Sequence, residues 1–445
     1  MIIKKGVRPY DLKRRDFMII STTEKKPWQE LCAVEERGNE LTEAGEGQQI
    51  RGFGTCFSEL GALALKKLPD SEREALLDEL FDEDKCNFNY CRTPMGASDF
   101  SLDFFSYNEV AGDYEMENFS IERDKELLLP LIHDALSRQK DMQMFASPWC
   151  PPLWLKTKWA YSNGTFNMTE ENLRAYALYF KKYIDAYHGE GIPIIQVCPQ
   201  NEPCSNQVFP SCIWTGEELA EFIGGYLGEA IKESGTDIVF GTINGPETDH
   251  RKLYTRYSDY LGTAMQDTRA RKYIKAVAYQ WAGKYALLET HDDYPELEII
   301  QSESECGDGS NSFDHAMYVF EMMRQYFRMG ASSYVYWNIA LEGDSSSTWG
   351  WRQNSLIHVV DGKAALTPEF YLMKHFSHFV KRGARYLKIK GEHSSSTVAF
   401  KNPDGEIVLI MANPYRKERT VTFRGTSYTL PPRSFNTVTL GGEEA

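Results

Sequence analysis

The sequence predicts an α/β fold, a (β/α)8 barrel with a flanking β-sandwich domain built from both termini. Three observations lead to this prediction. Between Gly54 and Trp337, apolar runs typical of buried strands alternate with amphipathic segments typical of helices, the pattern of parallel βα units. Near both termini, short strand-like segments follow one another with no helical segment between them. The chain has 445 residues, enough for one large domain and a smaller one.

Eight apolar segments are the predicted barrel strands. In chain order they are Gly54–Glu59, Asn89–Met95, Gln143–Ser147, Ile192–Val197, Ile238–Ile243, Tyr273–Tyr279, Leu297–Ser302 and Ser333–Trp337. Helices are predicted between them at Asp70–Phe81, Lys125–Arg138, Thr169–Tyr187, Glu217–Ser234 and Ser312–Met329. An open, doubly wound sheet is the structural alternative. No Gly-x-Gly-x-x-Gly or Walker loop follows an early strand, however, which argues against a nucleotide site.

The predicted domains cover residues 1–48, 49–384 and 385–445. The first range holds sandwich strands at Asp16–Thr22 and Trp28–Glu35, followed by Glu36–Gln48, an expected exposed connector because it is rich in Gly and Glu. The middle range is the barrel. The last range holds the remaining predicted sandwich strands, Thr397–Phe400, Ile407–Met411, Arg419–Phe423 and Asn436–Leu440. The alternative is that the terminal segments are separate decorations.

Composition and charge exclude several classes of partner. The formal net charge of −15 argues against nucleic acid or an anionic membrane surface. No run of about 18 apolar residues is present, so no membrane insertion is expected. No apolar stretch follows the basic N-terminus, so we expect no secretory signal and a cytoplasmic protein. Aromatic residues make up 13% of the chain, which fits either a large aromatic core or a sugar-binding cleft.

The cysteine and histidine patterns predict neither disulfides nor a metal site. The nine cysteines form no regular framework, and buried thiols in a reducing compartment are the prediction. No group of Cys or His has zinc-like spacing. His375 and His378 lie in an aromatic helix, Phe370–Val380, where we expect them to pack. We predict no metal and no cofactor, and the sequence indicates no particular oligomeric state.

Two predicted strands are followed by glutamates. Glu202 comes shortly after Ile192–Val197, the fourth strand, and Glu303 lies at the end of the seventh. Active sites of (β/α)8 barrels lie at the C-terminal ends of the strands. Two carboxyls placed there suit the acid/base and the nucleophile of a retaining glycosidase. Strand alternation points Glu305 to the same side as Glu303, so periodicity does not choose between them.

Seven short motifs together resemble a known family, although any one of them alone would be weak evidence. They are Gly52-Phe53-Gly54 with Ser58-Glu59, Arg92-Thr93-Pro94-Met95 with Asp99-Phe100-Ser101, Ala146-Ser147-Pro148-Trp149, Asn201-Glu202-Pro203, Ser302-Glu303, Tyr336-Trp337-Asn338, and Phe370-Tyr371 with His375-Phe376-Ser377. By their number, order and spacing, the chain resembles glycoside hydrolase family 30, the group that includes the lysosomal glucosylceramidases. The resemblance implies a (β/α)8 barrel with a flanking β-sandwich.

The resemblance also implies catalytic roles. Glu202 matches the general acid/base. The family's Ser/Thr-Glu motif directly after the strand favours Glu303 as the nucleophile, although counting back from Cys306 favours Glu305. Arg92 matches the arginine that orients the nucleophile.

Further matching residues are implied to bind the sugar. Asn201 matches the asparagine that binds the sugar 2-hydroxyl, and Asp99 the aspartate that binds distal hydroxyls. Trp149 and Trp337 match tryptophans that shape the pocket. Trp349 and Trp351, after strand eight, are expected on the aglycone side.

One departure from the family concerns strand six. Relatives carry a His-Trp-Tyr-like run whose tyrosine contacts the nucleophile, whereas this chain has Tyr279-Gln280-Trp281-Ala282. Gln280 and Trp281 take the first two positions, but Ala282 has no hydroxyl. We therefore expect the hydrogen bond to come from Tyr279, and we place Tyr279 and Trp281 among the substrate-binding residues.

The predicted function is that of a retaining β-glycoside hydrolase acting on a carbohydrate or glycoside. We expect exo cleavage of a terminal β-glucosyl, xylosyl or fucosyl residue. The alternatives are an endo-β-1,6-glucanase, a non-catalytic sugar-binding barrel and a metal-dependent hydrolase. The last would need His or Asp ligands at strand ends, and the sequence offers no such set.

Overall fold

The computed structural model describes residues 17–31, 39–244 and 257–441, which form a barrel and a β-sandwich. In this part of the chain eight parallel strands close into a barrel, with strand eight paired to strand one. They are Gly52–Cys56, Tyr90–Pro94, Gln143–Ser147, Ile194–Val197, Asp237–Ile243, Ile274–Gln280, Glu298–Glu303 and Ala331–Asn338. The predicted fold class is confirmed.

Alternation along each strand sorts side chains between the barrel interior and the surrounding helices. In strand six, Ala276 and Ala278 belong to an interior cluster with Tyr90 and Ile300. Tyr279 belongs instead to the large core between the barrel and its helices. This period of two is the geometry of an extended chain, and it decides which residues at the strand ends can reach the mouth of the barrel.

Helices surround the barrel and connect its strands. Thr169 caps one of them by accepting a hydrogen bond from Asn172 N, as predicted. The predicted helix Glu217–Ser234 is interrupted by a π-helical turn at Ile223–Leu227. The α-helices of the described residues are Glu59–Lys66, Asp70–Phe81, Leu128–Arg138, Glu170–Gly189, Gly216–Phe222, Gly228–Ile231, Tyr257–Gln266, Thr268–Arg271, Leu287–Asp293, Phe313–Arg328 and Pro368–Ser377. None of these is both long and apolar enough to cross a membrane.

Strands from both termini build the second domain. Ile19, Leu41, Met411 and Tyr428 come from distant places in the strand order yet share one apolar core, so the sheet folds over itself. Its nine described strands, in spatial order, are Thr426–Leu430, Arg419–Phe423, Asn39–Gln49, Arg385–Lys390, Thr397–Lys401, Ile407–Asn413, Ser434–Leu440, Phe17–Thr23 and Gln29–Leu31.

The prediction that Glu36–Gln48 is an exposed connector is wrong for the residues that the structure describes. Residues 39–49 form an eleven-residue strand, Asn39–Gln49, which pairs with Arg385–Lys390 on one side and Arg419–Phe423 on the other. Glycine and glutamate misled the prediction, because pairing with neighbours outweighs intrinsic strand preference. Asp16, residues 32–35 of the second predicted strand, and residues 36–38 of the connector lie outside the described residues.

A small three-stranded sheet follows strand eight and was not predicted. It pairs Ala340–Glu342 with Ile357–Val360, and the latter with Lys363–Leu366. The sheet closes the base of the loop 343–356, which carries Trp351 and Gln353 to the barrel mouth.

Two predictions are confirmed where the structure describes these residues: the cysteines are buried thiols, and His375 and His378 pack against their neighbours. Eight cysteines are free and buried, and Cys32 lies outside the described residues. His375 is fully buried between the last helix and the sandwich, where it contacts Thr22 and Thr437. His378 packs on Phe379, with ring centroids 4.5 Å apart.

Candidate active site

The C-terminal ends of the barrel strands bring three carboxyl groups into one cleft. Asp99 follows strand two, Glu202 follows strand four, and Glu303 ends strand seven. All three are buried, with exposed fractions of 5%, 8% and 5%. The other side chains lining the cleft are Trp149, Gln207, Phe209, Asn244, Trp281, Cys306, Trp351 and Gln353.

Arg92 is fully buried and connects Glu303 to the neighbouring strand ends. Its Nη1 donates to Glu303 Oε2 at 2.7 Å, and its Nη2 donates to Asn201 Oδ1 at 2.6 Å. The Ser147 hydroxyl accepts from Nε and Nη2 at 3.2 and 2.7 Å. The planar guanidinium is fixed by these bonds, so Glu303 is held by a rigid, charge-assisted donor.

The orientation of the Asn201 amide follows from Arg92. A guanidinium only donates, so the atom 2.6 Å from Nη2 is the amide oxygen. The Thr242 hydroxyl and Gln280 Nε2 also donate to this oxygen, each at 2.9 Å. With Oδ1 held by three donors, Nδ2 is the group that Asn201 can offer to a ligand.

Glu202 lies in a strained turn. Its backbone is left-handed, with φ of 49°, which is uncommon for a residue other than glycine. Burial raises the pKa of its carboxyl, while a hydrogen bond from Asn244 and the charge of Arg92 oppose the rise. Its Oε2 has no hydrogen-bond partner among the described residues. The raised pKa favours the protonated form of Glu202, which can deliver its proton into the cleft.

Burial also raises the pKa of the Glu303 carboxyl, and the Arg92 guanidinium opposes the rise. The charge of Glu202 further raises the pKa of Glu303. Only Glu303 accepts a hydrogen bond from Arg92, which favours the negative charge on Glu303 and the proton on Glu202.

Glu305, the other candidate nucleophile, lies elsewhere. It is half-buried and hydrogen-bonds the Tyr318 hydroxyl. The described side chains that line the cleft include Glu303 and not Glu305. The geometry therefore favours Glu303, the residue that the sequence motif also favours.

Asp99 completes the carboxyl cluster. Burial first, and the charge of Glu202 second, raise the pKa of Asp99 to about 7. Its Oδ1 finds no hydrogen-bond partner within the described parts of the chain. A buried acceptor in this state is ready to bind a hydroxyl group.

Aromatic side chains form the walls of the cleft. Trp149 lines it, and Trp337 stacks on Trp149 with ring centroids 5.4 Å apart. The Arg92 guanidinium lies over the Trp149 ring at 4.5 Å. Phe209, Trp349 and Trp351 form a second row, each neighbouring pair 5.3 Å apart, and Trp351 is 39% exposed at the mouth.

The two residues predicted from strand six have different places. Trp281 lines the cleft, as predicted. Tyr279 points outward to the helices, and its hydroxyl lies 2.6 Å from Thr290 Oγ1. The expectation that Tyr279 hydrogen-bonds the nucleophile is therefore wrong, because its position in the strand alternation directs it away from the barrel mouth.

Several residues of the site were not predicted. Gln207, Phe209, Asn244 and Gln353 line the cleft, and Thr242 supports Asn201. Asn244 directly follows a buried strand, so a polar residue at a strand end was an available signal. Gln353 lies in an irregular loop and offered no comparable signal in the sequence.

The arrangement is suited to acid/base and nucleophilic chemistry by two carboxyls, with a third carboxyl and aromatic rings to bind a ligand. No group of three or more His, Cys, Asp or Glu side chains in the described residues could hold a metal ion.

Comparisons with known proteins identify the family of both domains. The "Glycosyl hydrolase family 30 TIM-barrel domain" matches residues 50–380, and the "Glycosyl hydrolase family 30 beta sandwich domain" matches residues 383–438. The lysosomal acid glucosylceramidase of Mus musculus is 28% identical over 393 residues, which cover 82% of this chain and 75% of the mouse protein.

Two glucanases are also similar. Endo-1,6-beta-D-glucanase BGN16.3 of Trichoderma harzianum is 26% identical over 398 residues, covering 84% of this chain and 79% of the fungal protein. The solved structure of the endo-beta1,6-glucanase BT3312 superposes with a TM-score of 0.85 at 25% identity, covering 96% of this chain and 99% of that one. The chain is a glycosidase and belongs to glycosyl hydrolase family 30.

Proposed function

We propose that the protein hydrolyses β-glycosides with net retention of configuration at the anomeric carbon. The observation that carries the proposal is the pair Glu202 and Glu303, which line one cleft from strands four and seven while only Glu303 is bound by Arg92. A retaining enzyme needs one carboxyl that is protonated and one that is ionised. The different partners of the two glutamates support this division.

In the first step, a Glu303 carboxylate oxygen attacks the anomeric carbon as the bond to the leaving oxygen breaks. The proton of Glu202 passes to that oxygen, and the sugar remains bound to Glu303 as an ester. Arg92 holds the carboxylate in place for the attack. Asn201 Nδ2 donates to the sugar 2-hydroxyl, a bond that strengthens as the oxocarbenium-like transition state forms.

In the second step, Glu202 acts as a base. Its carboxylate takes a proton from water, the water oxygen attacks the anomeric carbon, and the ester bond to Glu303 breaks. Two inversions give net retention. This mechanism requires the two carboxyls to be about 5–5.5 Å apart, because a water molecule does not have to fit between sugar and nucleophile.

We further propose exo action on a terminal β-glucosyl residue or a close relative such as xylosyl or fucosyl. The buried Asp99 and the Trp149–Trp337 pair support a pocket that holds one sugar. The second candidate is endo-β-1,6-glucan cleavage. It is favoured by the similarity to the two endo-1,6-glucanases and by the exposed row that ends at Trp351.

Variants of the glutamates test the mechanism. Glu303→Ala should abolish turnover of every aryl β-glycoside. Glu202→Ala should lose most activity on poor leaving groups, and azide should restore activity on activated substrates as a glycosyl azide, since the anion needs no general base. Glu305→Ala is the matched control and should keep activity. An inverted first product by NMR would overturn the retaining mechanism.

Product analysis separates exo from endo action. On a β-1,6-glucan, monosaccharide alone from the start supports the pocket. An early ladder of oligosaccharides rejects exo action and favours the glucanase. Wild-type enzyme incubated with and without a chelator tests whether a metal takes part.

A further inference from the structure

We propose that Gln353 binds the substrate: its Nε2 donates a hydrogen bond to a hydroxyl oxygen of the same terminal sugar that Asp99 holds. This inference rests on the proposed glycosidase function and adds a specificity residue to it. Gln353 lies in the loop after strand eight, lines the cleft together with Asp99, and is fully buried.

The orientation of the Gln353 amide follows from its neighbours. Asn338 donates through one side-chain atom to the backbone oxygen of Asn354 at 3.2 Å. A backbone carbonyl only accepts, so the Asn338 atom is Nδ2. The same Nδ2 lies 2.9 Å from Gln353, and the Gln353 atom must therefore be Oε1. The remaining group, Nε2, is the amide's donor.

This donor is buried and has no hydrogen-bond partner among residues 17–31, 39–244 and 257–441. Leaving a buried polar group in this state is unfavourable, and native structures seldom contain one without a reason. Asp99 Oδ1 lies in the same cleft and is a buried acceptor that also lacks a partner within the described residues. A hydroxyl both donates and accepts, so the hydroxyls of a sugar are the chemistry that satisfies both residues.

Burial distinguishes the terminal sugar from the leaving group as the target of Gln353. Trp351, two residues earlier, is 39% exposed at the mouth of the cleft, whereas Gln353 is 0% exposed. The loop runs inward between them. Its Thr348 N donates to the backbone oxygen of Asp99 at 3.4 Å, so the loop of Gln353 directly contacts that of Asp99.

The loop holds Gln353 in a fixed place. Gln353 N donates to Ser345 O at 2.9 Å. The next residue, Asn354, donates to the buried Glu369 carboxylate at 2.7 Å and accepts from Gly309 N at 2.8 Å. These bonds join the loops after strands seven and eight, so the Gln353 donor is positioned before a ligand arrives.

The experiment measures kcat/KM of wild type and Gln353→Ala on an aryl β-glucoside and its series of monodeoxy analogues. We expect the variant to lose about 10- to 100-fold on the parent glucoside. On one deoxy sugar, the one lacking the partner hydroxyl, the two enzymes should agree within about twofold. Asn338→Ala should cause a smaller loss of kcat/KM that depends on the same hydroxyl, because the Gln353 amide loses the hydrogen bond that orients it.

Gln353→Met keeps the side-chain volume and removes the donor. It replaces Gln353→Ala in the same measurement if the alanine variant folds poorly. An equal loss on the parent and every deoxy sugar, or no loss on the parent, would overturn the assignment. Wild-type turnover of the parent glucoside tests the proposed function separately. Only the ratio of variant to wild type across the series tests Gln353.

Discussion

Two buried polar regions of the molecule differ in how their hydrogen bonds are completed. At the interface between barrel and sandwich, His375 Nδ1 lies 2.8 Å from Thr437 Oγ1 and Nε2 lies 2.9 Å from Thr22 Oγ1. Both ring nitrogens therefore have partners from the sandwich. Around the cleft, by contrast, several side chains have a polar atom with no partner within the described residues, among them Asp99, Glu202, Trp337, Trp349 and Gln353.

The difference separates stability from function. An unpaired buried polar group costs about 1–3 kcal/mol, so the cleft is a locally unfavourable part of the folded state. At the interface, His375 has a partner for each ring nitrogen and connects the last helix to the sandwich. The cleft leaves donors and acceptors available for a ligand. We expect substitutions in the cleft to reduce activity and in some cases to raise the free energy of unfolding. Substitutions at the interface should leave activity unchanged and should not raise the free energy of unfolding.

Apart from the two glutamates, the largest effect on activity is expected at Arg92. Arg92→Met removes the donors to Glu303 and Asn201 and should lower kcat/KM by about 10³-fold or more, equivalent to about 4 kcal/mol. Without the guanidinium the pKa of Glu303 rises further, so the acid limb of the pH–rate profile should move to higher pH.

Arg51→Met is the matched control at the opposite end of the barrel. Arg51 also pairs with a glutamate, with Nε 2.7 Å from Glu298 Oε1. It should lower stability and leave kcat/KM within a few-fold of wild type. Equal losses of activity in both variants would contradict a specific role for Arg92.

Asp99→Asn should stabilise the protein at alkaline pH while lowering activity. The pKa of Asp99 is raised from 3.8 to about 7, so between these values the folded state keeps a proton that the unfolded state has lost. Wild type therefore loses stability as pH rises through this range, by up to about 4 kcal/mol, and the asparagine variant does not.

Urea unfolding at pH 5 and pH 8 measures this difference. The stability gain of Asp99→Asn should be larger at pH 8. Asp103→Asn, whose carboxylate is 80% exposed, is the control and should show little difference. A gain that is the same at both pH values would refute the raised pKa.

The interface should show the opposite pH dependence. Burial lowers the pKa of His375 from 6.5 to about 3, so below 6.5 only the unfolded state takes up the proton. The contribution of His375 to the free energy of unfolding is complete above pH 6.5 and is lost as the pH falls towards 3. At pH 4.5 the loss is about 3 kcal/mol. His375→Gln should be less stable than wild type at pH 8 and should lose less on acidification.

His133→Gln, at an exposed position, is the control for the loss of a histidine as such. Free energies of unfolding at pH 8, 6.5 and 4.5 give the comparison. Parallel pH curves for wild type and His375→Gln would show that His375 is not the titrating group.

The smallest effect is expected from Tyr279→Phe. The hydroxyl contacts Thr290 outside the barrel, so its loss should cost about 1 kcal/mol of stability and change kcat/KM by less than about twofold. Trp281→Phe, at a residue of the cleft, is the contrasting variant and should change KM. A large loss of activity in Tyr279→Phe would place Tyr279 in the site after all.

The sequence was sufficient to predict the barrel and to propose the two glutamates of its cleft. Local patterns suffice here, because buried parallel strands are short apolar runs and their C-terminal ends meet at one mouth. Glu202 and Glu303 follow or end such runs, whereas the family resemblance implies Arg92, Asn201 and Asp99. The structure places all five together.

Other features required the folded structure, because they depend on contacts between distant parts of the chain or on the register of a strand in the barrel. Asn39–Gln49 becomes a strand through its pairing with Arg385–Lys390, over 330 residues away. Tyr279 is excluded from the site by one position in the strand alternation. Gln353 enters the cleft from an irregular loop, and its amide is oriented by Asn338 rather than by any local pattern.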